Sequence, residues 1–139
     1  MTRIDFYLAR PPGDRLLLTC RLAEKAYAQG HRVYVHCADP QQADHLDRLL
    51  WSFRQGSFIP HALAAEAHPE LDTLVLGADL PPEGSDDVLI NLGVEVPAFF
   101  SRFERLAEPL DTTPEIQQAG RRRYAFYRDR GYPLAFHEV

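Results

Sequence analysis

Apolar and polar positions change period several times along the chain, and each change marks an element. "RIDFYLA" (Arg3 to Ala9) alternates as a strand does and is closed by a Pro-Pro-Gly break at residues 11–13. Asp14 is placed to cap a helix through "RLLLTCRLAEKAYAQG". Its apolar face repeats at Leu16, Cys20, Ala23 and Tyr27, and Gly30 stops it. "HRVYVHCA" (His31 to Ala38) is rich in β-branched and aromatic residues and reads as a second strand. In "DPQQADHLDRLLW" Asp39 caps a second helix with Pro40 at its first position.

The second half repeats the alternation. "SFIPHAL" is a short extended segment that Pro60 confines to a sheet edge or an irregular connection. "DTLVLGA" and "DVLINLG" are strands joined by the turn-rich "DLPPEGSD". Beyond "VEVP" the pattern predicts helix twice, in "AFFSRFERLAEP" and in "TTPEIQQAGRRRYAFYRDRG", where Thr113 can cap and Pro114 can begin. Strands alternating with helices at this spacing give βαβ units. The expectation is one domain, residues 1–139, with helices on both faces: a three-layer α/β/α arrangement around a largely parallel, Rossmann-like sheet.

Composition narrows the function classes. The 139 residues are 45% hydrophobic and 25% charged, as in a soluble globular protein, and no apolar run nears the ~20 residues of a membrane span. "TRIDFYLA" after Met1 lacks the charge-then-apolar order of an export signal, so a cytoplasmic protein without a membrane is expected. Cys20 and Cys37 stand alone and read as small buried residues. A formal net charge of −5 argues against a general coating of DNA or RNA.

α/β proteins commonly hold nucleotides in the turn after the first strand. "ARPPGDR" has one glycine there, and its prolines remove N–H donors a pyrophosphate would need. The chain has no phosphate-loop or nucleophile-elbow motif, and no two of its six histidines stand at i,i+4. His31 and His36 read as structural, and Asp44, Asp47, Asp86 and Asp87 as solvent contacts. The sequence thus offers no catalytic residue, metal ligand or cofactor, although carboxylates assembled only in three dimensions would leave a nucleotide- or nucleic-acid-processing enzyme as the alternative.

One stretch stands out. "GRRRYAFYRDRGY" gathers five of the chain's arginines between Gly120 and Tyr132 of an acidic protein. At 100° per residue Gln117, Arg121, Tyr124 and Arg128 fall on one narrow stripe. Ile116, Ala119, Gly120, Phe126 and Tyr127 form an apolar sector that also receives Arg123, whose head must snorkel or pair. The stripe reads either as a solvated face favoured by the helix dipole or as a site. With Leu110 and Ile116 upstream to wall a pocket, it suits a partner carrying both carboxylate and aromatic groups. Direct single-strand binding by this helix is a third reading.

"DRLLWSFRQGSFIPHALAAE", with the opening "FYL" and the "RRRYAFYRDRGY" helix, resembles the chi-subunit family of bacterial DNA polymerase III over nearly the whole chain. Leu50-Trp51 and Ser57-Phe58-Ile59-Pro60-His61 carry the specific part. The resemblance implies a non-catalytic accessory subunit that pairs with psi at the clamp loader. It implies binding to the acidic C-terminal tail of single-stranded DNA-binding protein, so that DNA is met only indirectly. By matching motif, Arg121 takes the tail's terminal carboxylate with Tyr124 beside it. Trp51 and Phe58 match signature aromatics and are grouped with the tail-binding residues, core packing being the alternative, and Leu110 and Ile116 match apolar pocket positions. Gln117 and Ala125 stand where relatives carry lysine, which leaves Arg122 and Arg128 to supply the long-range attraction.

Overall fold

The computed structural model describes residues 1–53, 59–68 and 73–139. Strands β1 (Arg3–Leu8), β2 (Val33–His36), β3 (Ala62–Leu63), β4 (Leu74–Gly77), β5 (Val88–Asn91), β6 (Arg105–Leu110) and β7 (Leu134–Glu138) form one sheet. Its order is β3-β4-β2-β5-β6-β1-β7, and each neighbouring pair is parallel. Helices α1 (Arg15–Ala28) and α2 (Pro40–Ser52) pack on one face, and α3 (Pro114–Asp129) on the other. The three-layer, parallel arrangement expected from the alternation is therefore the one found.

Local chemistry starts the first two helices as read. Asp14 Oδ1 accepts from Leu17 N–H and Asp39 Oδ1 from Gln42 N–H, each at 2.8 Å, and Pro40 opens α2. Thr113 precedes α3 but its side chain makes no capping bond. Instead Asp111 binds the Thr113 and Arg15 N–H groups at 2.9 and 3.3 Å, and so ties the starts of α3 and α1 together.

Two stretches differ from the pattern's prediction. "AFFSRFERLAEP" is not a helix: after a 3-10 turn at Phe100–Arg102 it becomes β6, between β5 and β1. Leu106, Glu108 and Leu110 face α3, and the carboxylate among them hides the strand's alternation. Pro109 is tolerated because N–H groups at odd positions here point toward β5, as Arg105 N–H does in reaching Asp87 O. That pairing has ended at Ala107, so the N–H that proline lacks is not needed. The pattern also assigns no element to the last residues, yet Leu134–Glu138 joins β1 as a parallel edge strand. Five residues with exposed positions on both faces carry too little periodicity to be seen.

The sheet separates two apolar cores. Cys20, Ala23, Leu46 and Leu50 pack over Val33, Val35, Leu74, Leu76 and Ile90 beneath α1 and α2. Ile4, Phe6, Tyr34, Leu89, Phe100, Leu106 and Tyr127 fill the α3 side. Gly77 is required in β4, because a Cβ there would lie 2.6 Å from the Tyr34 hydroxyl, which donates to Asp79 O at 2.7 Å. Both thiols are buried, and burial pushes each up to about 12.

Beneath α3 lies a polar cluster sealed from water. Glu108 is 0% and Arg123 3% exposed, and Arg123 Nε donates to Glu108 Oε1 at 3.0 Å. Tyr127 Oη donates to Oε2 at 2.7 Å, and Asn91 Nδ2 to the same carboxylate at 3.1 Å. Arg123 Nη1 reaches Val94 O at 2.8 Å. Burial, then the neighbouring carboxylate, raises the Tyr127 phenol far above its usual range.

Two outcomes follow. Glu108→Ala should lower unfolding free energy by about 3–5 kcal/mol in urea titrations, since it leaves a buried guanidinium without a counter-charge. The Glu108→Leu/Arg123→Met pair should lose clearly less. In a disulfide-exchange assay at pH 8, Cys20 and Cys37 should stay unreactive until denaturant is added.

Candidate functional site, a slot beside the last helix

Between α3 and strands β6, β1 and β7 lies a slot of about 270 Å³. Its floor is Phe6 and Leu8 from β1, Leu110 from β6 and Phe136 from β7. Gln117, Gly120, Arg121 and Tyr124 form the helix wall. The stripe predicted from helical periodicity therefore borders an apolar hollow at three of its four positions. The Tyr124 ring packs edge-on to Phe6 at 5.2 Å, which fixes one side of the slot.

Gly120 sets the width. A Cβ at this position would sit 2.8 Å from Leu110 Cδ2, so only glycine lets the β6 side chain come up against the helix. Glycine inside a helix lowers its stability by about 1 kcal/mol relative to alanine, which is itself a sign of close packing. Phe136 is 52% exposed, an aromatic ring at the slot mouth with little of its own to cover it.

The arginine cluster separates by role. Arg123 is the buried partner of Glu108. Arg128 bonds through Nε and Nη2 to Asp129 Oδ1, both at 3.2 Å, on the open surface. Arg130 stacks its guanidinium 3.5 Å from the Phe126 ring centroid. Among the described residues Arg121 and Arg122 are exposed and make no hydrogen bond or ion pair. Arg121 is thus a free cation at the rim of an apolar cavity, with nothing acidic among the residues lining it.

Other candidate positions fall elsewhere. Arg128 does not line the slot, and Ile116 packs half-buried into the α3-side core next to it. Trp51 is not brought to the slot at all. It stands near the end of α2, whose buried residues belong to the core on the opposite face of the sheet. There it is 53% exposed and contacts the His61 ring at 4.5 Å, so it is not a core residue either. The reason is topological: α2 and α3 lie on different faces, which a motif match along the chain does not reveal. Phe58 lies outside the described residues.

Sequence reasoning missed Phe6, Leu8, Gly120 and Phe136 as slot walls. Phe6 and Leu8 have the right alternation, but the position of β1 beside β6 is a tertiary fact. Phe136 is hidden with β7. Gly120, a glycine within a helix, carried the one usable signal.

A second hollow, of about 500 Å³, opens at the carboxyl ends of β2 and β5, where doubly wound folds hold nucleotides. It is lined by His36, Val94, Phe99 and the carboxylates Asp79 and Glu95, with no lysine or arginine among the described residues. Such a lining repels phosphate. Burial lowers the His36 pKa and so favours its neutral form. Among the described residues no three His, Cys, Asp or Glu side chains gather to hold a metal ion.

The model of the family described as "DNA polymerase III chi subunit, HolC" matches residues 1–135. The chain belongs to the DNA polymerase III chi-subunit family. The chi subunit of Pseudomonas aeruginosa is 48% identical over the whole of this chain and 98% of its own length. That of Escherichia coli is 33% identical over 84% of this chain and 80% of its own, and that of Haemophilus influenzae 28% over 88% and 85%. As a chi-family member the protein is an accessory subunit of the replicative polymerase. None of the described helices is long and apolar enough to cross a membrane.

The close approach at Gly120 can be tested by size. Gly120→Val should destabilise the protein by about 1–3 kcal/mol in urea unfolding through overpacking against Leu110. Gly120→Ala should cost less, because its better helix propensity offsets part of the clash.

Proposed function

We propose that the slot grips the acidic C-terminal tail of single-stranded DNA-binding protein, and that the chain, pairing with psi, links that protein to the clamp loader without a catalytic step of its own. The observation that carries the reading is Arg121, an unpaired guanidinium at the rim of an apolar slot. A chain end that presents an aromatic side chain and a free carboxylate together satisfies both halves.

The ring enters between Phe136 and Tyr124, and burying it contributes roughly 1.5–3 kcal/mol. Arg121 meets the α-carboxylate in a charge-assisted, bidentate hydrogen bond of the order of 1.5–3 kcal/mol. Arg122, exposed and unpaired, draws acidic residues upstream, an attraction screened beyond ~8 Å at physiological salt. Arg128 contributes less than its place on the stripe suggests, since Asp129 already neutralises it. Gln117 offers a neutral amide on the same wall, where the family resemblance implies lysine, which weakens steering and leaves the pocket intact. Ordering a flexible tail offsets part of the gain, so micromolar affinity, about −8 kcal/mol, is expected, and an oligomeric tail-bearing partner multiplies it.

The nucleotide-processing alternative finds no support in the hollow where it would act, which is lined by Asp79 and Glu95 without a cation.

In a fluorescence-polarisation titration with a labelled acidic tail peptide, Arg121→Ala should weaken binding about tenfold or more while the melting curve is unchanged. A peptide lacking its last aromatic residue should lose binding to a similar extent. Equal affinity of Arg121→Ala and wild type would refute the assignment.

A further inference from the structure

The two sides of the sheet are unequally covered. No residue of β1 or β7 joins the apolar core under α1 and α2, which reaches only as far as Ala107 on β6. Beyond it, this face carries Arg3, Asp5 and Tyr7 from β1 and, in register with them, Ala135 and His137 from β7. Tyr7 and His137 stand side by side with rings stacked 4.8 Å apart at 21°. His137 Nε2 lies 2.9 Å from Asp5 Oδ1, which fixes the ring's orientation.

Cations gather at one end of this platform. Arg3 and Arg105 are directly paired in register on neighbouring parallel strands, so their side chains leave the sheet on the same side. Both line a hollow of about 180 Å³ together with Tyr7 and Lys25, the last projecting from α1. Two guanidiniums held abreast repel one another unless an anion lies between them. The one carboxylate lining the hollow is Asp5, which contacts Arg3 at 3.4 Å and is shared with His137. Among the described residues Arg105 and Lys25 make no ion pair.

We propose that this partly covered sheet face is a contact surface for single-stranded nucleic acid, separate from the slot. Arg3, Arg105 and Lys25 take backbone phosphates, and the Tyr7–His137 pair offers aromatic surface to a base. The combination of an electropositive groove with partly exposed rings is what sequence-tolerant single-strand binding requires. On the opposite face α3 and its side chains pack over β6 and β1 and leave the slot as the opening. The site is small, so the contact is a weak one, suited to a strand held nearby by other means and compatible with the chain's net charge of −5.

The test is fluorescence anisotropy of a labelled 15-nucleotide oligothymidylate against the full chain. Binding should appear at low salt and fall with a log–log salt slope of about −2, the value for three phosphate contacts on a single strand. Arg3→Ala/Arg105→Ala should weaken it tenfold or more, and Arg3→Lys/Arg105→Lys should restore it to within about threefold. His137→Ala should weaken it about threefold with little change in slope. Arg121→Ala/Arg122→Ala should leave it unchanged, which separates this proposal from the tail-binding one. The proposal is overturned if wild type does not bind or if Arg3→Ala/Arg105→Ala binds as wild type does. It is equally overturned if the Arg121→Ala/Arg122→Ala variant is the one that loses binding. Displacement by inorganic phosphate at matched phosphate concentration would also overturn it, since that marks a free-anion site.

Discussion

The position of α3 depends on a charge buried between it and the sheet. Glu108 on β6 and Arg123 on α3 are both removed from water, and each is held by further bonds, from Tyr127 and Asn91 on one side and to Val94 O on the other. A greasy interface would tolerate small rotations of the helix, whereas the directional bonds at both ends of this pair resist them. Because Gly120, Arg121 and Tyr124 share the helix with Arg123, fixing that residue fixes how the stripe faces the slot. The same bonds reach the loop after β5, so the helix is anchored to the end of the sheet as well as to its face.

Much of this was legible in advance, for physical reasons that can be named. The caps at Asp14 and Asp39, the burial of Cys20 and Cys37, and the parallel layering follow from local chemistry and period. That Arg123 must snorkel or pair followed from its place in the apolar sector, and the second of these is what it does. What failed was local signal overruled by tertiary pairing. β6 reads as helix because Glu108 interrupts its apolar alternation, and the reason for that carboxylate is a partner fifteen positions away. β7 has almost no pattern of its own and exists because β1 offers it an edge. The grouping of Trp51 with the slot failed differently, since order along the chain does not say which side of a sheet a helix takes.

The five arginines that open the question of function turn out to have unlike tasks, and geometry rather than composition assigns them. One is interior, one is neutralised by its neighbour, one lies on a ring, and two remain for something outside the chain. An acidic protein can therefore keep a small number of cations available by letting its own carboxylates and rings occupy the rest. The same accounting, applied to the far side of the sheet, leaves Arg105 and Lys25 over.

Gathering walls from β1, β6, α3 and β7 has a consequence for when the slot exists. Its floor joins Phe6, near the first residue, to Phe136, near the last, through strands that become neighbours only when every crossover between them has closed. A chain in which β1, β6, α3 and β7 have not all come together lacks at least one wall of it. The slot is therefore a product of the finished sheet rather than of any one supersecondary unit, and its shape reports that the first and last strands have met.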